Sequence, residues 1–553
     1  MKKLFIALLS LVFAGCGDYL DEENKTDVLT DELYRTASGY EGLVSSAYAA
    51  LRTVYVAPWM FMAGTDLYVE GRDAQPEGMK DYRNLTPSSS TVRDFYRDCY
   101  IAIQRANIGI FYNDLTEQVD EIEARLGELK FLRAYNYFLL VQAFGGVPLV
   151  TEAFSSPVTS FERASAEAVY DFIISEMEDA FDLVEENPEY GRVSKRAVTH
   201  YLAKVHLTRG YESFAELDDF EKAADYADQA IDNYDLSTLS FEELFWPGNE
   251  NNPEVLFAIQ FDKVSLENPT DGSTQANYIG PYHGGEGQTQ GYPSRRYSLI
   301  GTKYLFDLFT EDDSRWEGTF MTVFYQRYYD YYDRPASDRP NMMIRYYYPH
   351  KWQTADTAAW RAADPANRNG TIIRPYSESL TPGLITWETE VSRDNYVPAV
   401  KKFDDPTSDY GHGTSSRDII LARLGETYLI AAEAYLIEDN LPLALARLNA
   451  VRERAEKTPG SLVLSDPGEV DIDLILDERA RELVGEYHRW FDLKRTGKLK
   501  ERALLYNKDV RALSNPFLGP DGNDKILRPI PQIALDLNEN KEVRQNPGYV
   551  SGQ

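Results

Sequence analysis

Residues 117–150 read EQVDEIEARLGELKFLRAYNYFLLVQAFGGVPLV, and this stretch decides the fold. Leu126, Leu129, Phe131, Leu132, Tyr135, Phe138, Leu139, Gln142 and Ala143 keep returning to one face, which predicts a long helix from Glu117 to Phe144. Gly145-Gly146 stops that helix, and Pro148 prevents its restart. Upstream, residues 38–56 place Leu43, Ala47, Ala50, Leu51 and Val54 at helical spacing. Thr91 or a serine before it caps a further helix that runs to about Asn113. Between them, residues 57–90 are irregular, punctuated by Pro58, Gly64, Gly71, Pro76, Gly78 and Pro87. Downstream, helical patterns recur at about 165–185, 194–213 and 218–234.

Two stretches pair helices around small residues: Ala197–Leu207 with Phe220–Ile231, and Leu421–Leu436 with Leu443–Val451. Alanines at 223, 224, 227 and 230, and at 431, 432 and 434, let helix axes approach closely. These stretches resemble degenerate tetratricopeptide units, antiparallel helix pairs that serve as scaffolds. Helical order is expected over 417–456 and again over 472–496. The last helix is expected to carry Ile472, Ile475, Leu476, Leu483, Tyr487, Trp490 and Phe491 on one face. Its Glu478, Arg479, Arg481, Glu482 and Arg489 are expected to form local ion pairs, weak where exposed. The proline-punctuated tail reads as an extended strap.

Between about 235 and 415 the periodicity fades and Gly, Pro, Asn and Tyr dominate, as in Tyr278–Gly285 and Tyr346-Tyr347-Tyr348. A loop-rich insert on a helical scaffold is where binding residues collect. The expected fold is therefore mainly α: a tetratricopeptide-like scaffold with a large loop-rich ligand-binding insert. The expected division is a leader at 1–15, a tether at 16–37, a helical region at 38–234, the aromatic insert at 235–415 and a second helical region at 416–553.

The length of 553 residues points to two or more lobes. A net charge of −32 repels nucleic acid, whose affinity rests on cationic contacts to phosphate. Aromatic residues make up 13% of the chain, with 39 Tyr, an excess that fits wet recognition surfaces as well as cores. Cys16 and Cys99 are the only cysteines, which excludes a disulfide framework; Cys99 lies in a helical pattern and reads as a buried small hydrophobe.

The chain starts MKKLFIALLSLVFAGCGDYLDEE. Lys2 and Lys3 precede an apolar run, Leu4 to Phe13, too short to span ~30 Å of hydrocarbon but of the length of a signal-peptide core. Ala14-Gly15-Cys16 then resembles a bacterial lipobox, with Phe13 where Leu is usual. This implies cleavage before Cys16 and its lipidation. The acidic Gly17–Glu23 resembles the signal that sends lipoproteins of Bacteroidota to the outer face of the outer membrane.

Four blocks, in order, resemble the SusD/RagB family of outer-membrane nutrient-binding lipoproteins. They are Phe131–Phe138 with Phe144–Leu149; Arg423–Ala434 with Leu448–Arg452; Glu478–Leu483 with His488–Arg495; and Leu527–Gln532 with Asp536–Asn538 and Gln545–Tyr549. The resemblance implies a partner, a SusC-type TonB-dependent outer-membrane transporter, over which the lipoprotein lies as a lid. It implies capture of an oligosaccharide, sometimes a peptide, for import. A peptide-binding or mainly structural lid is the alternative.

A sugar site needs aromatic platforms for the C–H face and polar groups for the hydroxyls. Candidate platforms are Tyr82, Tyr282, Tyr292, Trp316 and Trp352, and candidate polar partners are Asp66, Arg72 and Asn84. They lie in the irregular regions 57–90 and 270–360, where the resemblance implies ligand contacts. No catalytic centre, cofactor or metal site is expected. His488 lacks an oriented partner and nucleophile, the histidines and cysteines lack metal-ligand spacing, and Asp536–Asn540 does not complete a calcium loop.

Overall fold

The computed structural model describes residues 31–71, 73–154, 156–262, 272–279, 298–353, 356–376, 397–407 and 413–552. Six long helices open it, with a single helical turn, Trp59–Met62, between the first two: α1 (Ala37–Val54), α2 (Ser90–Asn113), α3 (Ile122–Phe144), α4 (Ala166–Leu183), α5 (Lys195–Arg209) and α6 (Asp219–Ile231). Each packs on the next. Side-chain caps fix several starts: Thr36 accepts from the Gly39 amide at 3.0 Å, Ser165 from Ala168 at 3.1 Å and Ser194 from Ala197 at 3.2 Å.

The helix expected to start at Glu117 starts five residues later, at Ile122. The intervening backbone is held elsewhere: the Glu117 amide donates to the Arg35 carbonyl, and the Gln118 side chain donates to the Asn113 and Thr116 carbonyls. Gly145 ends α3 as expected, with a φ of +70°. Nearly every residue of α3 is buried, because α1, α2 and α4 all pack on it. Two of its arginines are paired in the interior. Arg133 reaches Glu176 and Asn107, and Arg125 reaches Glu41 and Glu128.

After the insert come α8 (Leu424–Ile437) and α9 (Leu441–Ala455), preceded in the insert by a five-residue helix, α7 (Lys303–Asp307). The pair α8–α9 stacks on α6, so the second helical hairpin continues the array begun by the first. Ala223, Ala227, Ala431, Ala432 and Ala434 are all fully buried at these crossings. Leu421–Arg423, expected to be helical, belongs instead to a strand, β9 (Ile419–Arg423), antiparallel to β2 (Val255–Ile259). The insert thus leaves and re-enters the scaffold through adjacent strands.

The helix expected over 472–496 is two: α10 (Ile472–Glu482) and α11 (Arg489–Arg495). Gly485 and Tyr487 between them adopt positive φ of 80° and 64°, which a continuing helix forbids. A Cβ at Gly485 would lie 2.5 Å from the Phe403 ring.

Arg481 pairs locally with Glu478 at 2.6 Å, as expected, but Glu478, Arg479 and Glu482 also pair with distant residues in the interior. Arg423 contacts Glu254 at 2.9 Å, Glu482 at 2.7 Å and Glu486 at 2.7 Å; Arg315 contacts Asp313, Glu478 and Glu482; Arg454 contacts Glu254 and Glu482. All are buried, so the network joins insert, scaffold and α10 in a medium where losing one partner is costly. The tail crosses the surface as a strap: the Arg528 amide donates to Ala143, the Gln532 amide to Pro87, and Asn538 brackets Phe161. Among the described residues no helix is long and apolar enough to cross a membrane.

Candidate functional site

The expected site residues separate sharply. Asp66 is fully buried: Arg489 donates to it at 2.8 and 2.5 Å and Arg502 at 3.0 Å. Burial alone would raise its pKa, but these guanidiniums hold the carboxyl below the ordinary range. Tyr82 is also buried, with φ +64°, its ring stacked 4.0 Å from Phe517 and its hydroxyl donating to the Gly64 carbonyl. Trp316 is 0% exposed, inside the core between Phe306, Phe309 and Phe320. The expectation that these three present exposed ligand contacts is corrected: each is committed to the interior. Asn84 is exposed, its amide donating to Glu77 at 3.0 Å. Trp352 is half-buried. Cys16, Arg72, Tyr282 and Tyr292 lie outside the described residues.

The two irregular regions do meet. Strand β1 (Tyr68–Glu70) pairs antiparallel with β3 (Leu299–Gly301), placing Tyr68 opposite Gly301 and Glu70 opposite Leu299. The Gly71 amide and the Gln75 side chain both donate to the Ser298 carbonyl, at 3.1 and 3.2 Å. Trp59 packs edge-to-face on Tyr278, with centroids 4.9 Å apart.

From β3 the chain turns directly into α7, capped by Thr302, whose hydroxyl accepts from the Leu305 amide. Against α7 stands a stack of three rings. His350 lies parallel to Trp352 at 3.7 Å and to Tyr376 at 4.5 Å. Two larger rings at those distances cannot share one face of an imidazole, so they flank it. Trp316 supports the stack from below, edge-on to His350 and Trp352. The His350 Nε2 lies 3.0 Å from the Phe306 carbonyl and its Nδ1 accepts from the Lys351 amide at 2.8 Å. That pairing assigns the proton to Nε2 and leaves the ring neutral, and burial lowers its pKa to about 4. At the rim, Asp307 receives the Tyr376 hydroxyl and the Lys303 ammonium, and Lys303 sits 5.6 Å from the Tyr376 ring centroid.

Tyr376 reaches this position through strand pairing. β6 (Ile344–Tyr347) pairs antiparallel with β5 (Val323–Tyr325) and parallel with β7 (Ile372–Ile373), and the Tyr376 amide donates to the Pro349 carbonyl at 2.9 Å. Neither His350 nor Tyr376 was singled out in the sequence. The run Tyr346–Trp352 signalled the former, but nothing local signals the latter.

Two other aromatic groups lie on the insert. Trp246, Tyr331 and Tyr332 cluster beside Arg339, whose guanidinium lies 4.0 Å from the Tyr331 centroid, and beside the Lys401–Glu242 pair. Trp360 is covered by Tyr347 at 4.6 Å and by Arg368 at 4.6 Å. Away from these groups, His488 lines an enclosed cavity of about 30 Å³ near Lys204 and Glu426, and burial lowers its pKa to about 3. Cys99 is buried.

A stacked-helix scaffold that carries a loop-built aromatic face is the architecture of a ligand-binding protein. The chain belongs to the SusD family, whose model matches residues 253–549; a second model, described as "Starch-binding associating with outer membrane", matches residues 18–207. SusD-like protein P38 of Formosa agariphila is 25% identical, with 99% of this chain and 98% of that protein aligned. Starch-binding protein SusD of Bacteroides thetaiotaomicron is 26% identical over 79% of this chain and 76% of its own. Among solved structures, a laminarin-binding SusD-like protein superposes with a TM-score of 0.67 at 23% identity, covering 93% of this chain and all of that one.

Proposed function

We propose that this protein is a glycan-binding lipoprotein of the outer membrane. It holds an oligosaccharide on the face where β1, β3, α7 and the Trp352–His350–Tyr376 stack converge, and passes it to a SusC-type TonB-dependent transporter. The stack carries the reading. Its outer rings, Trp352 and Tyr376, are half-buried on the two faces of a buried His350, with a carboxylate and an ammonium at the rim, which suits the apolar face and hydroxyls of a pyranose. α7 is five residues long, about 7.5 Å, so the seam and the stack lie within reach of one short oligosaccharide. Starch and laminarin in the names of similar proteins make α- and β-glucans the first ligands to test. The loop-rich region 235–415 would then be the recognition part, and Asn84 and Trp352 remain candidate contacts. Lipidation of Cys16 would hold the protein at the membrane with several acyl chains, which anchor stably where one does not.

The test is calorimetry against a panel of α- and β-glucan oligosaccharides, with and without Trp352→Ala, alongside assay of the same mixtures for cleavage products. Binding without turnover, weakened by the substitution, is expected. Binding of peptides and of no glycan would overturn the reading.

A further inference from the structure

Arg528, on the C-terminal strap, is 1% exposed. Its backbone is fixed: the amide donates to the Ala143 carbonyl, and the Asn546 side chain donates to its carbonyl at 2.8 Å. The side chain turns inward, with its guanidinium 4.3 Å from the Trp490 ring centroid and 5.6 Å from that of Tyr82. Trp490 belongs to α11 and Tyr82 to the irregular region 57–90, so three distant parts of the chain meet at this one cation.

The two rings attract the positive charge, but they offer no acceptor to N–H groups that lie in the guanidinium plane. Among the described residues none accepts from Nε, Nη1 or Nη2, and all three nitrogens are cut off from solvent. Arg315, Arg423, Arg454 and Arg489 are buried as well, and each ends on a carboxylate. Arg528 does not. Burial depresses its pKa, and only the phenols of Tyr82 and Tyr549 act the other way. A guanidinium stays charged even so.

A second cation adds to the charge. Lys525 is buried three residues earlier. Its ammonium donates to the carbonyls of Tyr82 at 2.8 Å, Arg83 at 2.9 Å and Leu85 at 3.2 Å, and lies 5.7 Å from the Tyr549 ring centroid. Those partners are neutral, and Asp81 acts on it only from a distance. Two buried cations thus share the surroundings of Tyr82, with no carboxylate paired to either among the described residues.

We infer that Arg528 binds a small monovalent inorganic anion such as chloride, held by its in-plane N–H groups as the strap closes over the core. A water molecule would satisfy those donors but bring no charge, leaving both cations uncompensated in a low-dielectric interior. A monatomic anion meets both needs, and its size suits a site closed to solvent. The ion ties the strap to α11 and to the region that carries β1. This inference stands apart from the identity of the glycan.

The test begins with crystals of the unaltered protein grown with bromide in place of chloride, with diffraction data collected at the bromine absorption edge. An anomalous peak within hydrogen-bond reach of the Arg528 nitrogens is expected. A second arm reads the melting temperature at constant ionic strength while gluconate is exchanged for chloride. For a chain of this length, each tenfold rise in chloride above the dissociation constant should raise it by about 1 °C. Arg528→Met keeps an apolar stem against the rings without the charge, and should abolish that dependence. Should this variant fail to fold, the diffraction and the titration of the unaltered protein decide alone. Density for water at Arg528, with melting level across the titration, overturns the proposal. So does an adventitious ion only, a bromide peak seen at crystal concentration with no chloride dependence in solution. A chloride dependence that persists in Arg528→Met, or a bromide peak found only elsewhere, places the ion at another site and overturns it too.

Discussion

Arg489 donates two hydrogen bonds to Asp66, at 2.8 and 2.5 Å, across 423 residues of chain. Arg502 adds a third bond to the same carboxylate. The pairing locks the first irregular region onto α11 and the residues that follow it. Asp66→Ala leaves the buried Arg489 guanidinium without a carboxylate, while Arg502 keeps Asp473 and Asp477; it is expected to cost about 3–5 kcal/mol of stability, read from denaturant unfolding. Glycan affinity at a temperature where the variant is folded should be nearly unchanged. A stability loss below about 1 kcal/mol would mean the buried pair is solvated.

Trp316 and Trp352 lie 5.8 Å apart yet should behave oppositely. Trp316→Ala opens a cavity in the core and is expected to destabilise by ~3–5 kcal/mol. Trp352→Ala removes an outer ring of the stack and is expected to weaken glycan binding by ~1–3 kcal/mol with a much smaller change in melting temperature. Melting and binding curves measured side by side on each variant decide the matter, and unaltered affinity in Trp352→Ala would remove the stack from the site.

Acid should loosen the fold before it affects the stack. Burial holds His488 near pKa 3 and His350 near 4, against 6.5 when unfolded. Between those values the unfolded chain binds protons that the folded chain refuses, so stability falls as the pH drops below about 6.5, with a limiting slope of ~1.4 kcal/mol per pH unit for each such histidine. Arginines hold Glu478 near 2, against its own burial, and its contribution fades as the pH drops below 4.5. Melting temperature is thus expected to be level from pH 8 to 7, to fall below 6.5 and to fall faster below 4.5. His350 stays neutral down to about pH 5, so affinity for a neutral glycan should be flat from pH 8 to 5. A decline near pH 6 would show that the ring protonates in the site.

Cys16→Ala should move the protein from the membrane fraction to the soluble one. Mass spectrometry of the unaltered protein is expected to find an acylated cysteine at the new N-terminus. An unmodified N-terminus elsewhere would rule the anchor out.

Most of the scaffold was legible, because an apolar stripe of helical period needs no distant information to be read. The break between α10 and α11 carried only a partial signal: Gly485 invites it, but the left-handed turn is completed at Tyr487, a residue type that rarely adopts it. The site was less legible, and Asp66, Tyr82 and Trp316 show why. Their segments lack helical period and so read as surface. They are interior because distant residues satisfy the backbone around them: Lys525 donates to the Tyr82, Arg83 and Leu85 carbonyls, Asn507 to those of Thr65 and Tyr68, and on either side of Trp316 the Ser314 amide donates to Ala455 and the Lys401 amide to Thr319. Irregular backbone can be buried when such donors arrive, and no local pattern announces them. Trp352 was visible alone; Tyr376, the ring on the other face of His350, depends on the register of β6 against β7.

The ends of the insert are held side by side by the β2–β9 pairing, at the ~4.8 Å spacing of neighbouring strands. Loops within it can therefore lengthen or shorten while the points where it joins the helices stay put, and doubling a flexible loop costs only ~0.6 kcal/mol of closure entropy. Descendants of one ancestral scaffold can explore new ligands by changing loop length and composition there, with the helical array spared from compensating change. Divergence among such proteins should accordingly concentrate between these two strands, while the residues that pack one helix on the next drift slowly.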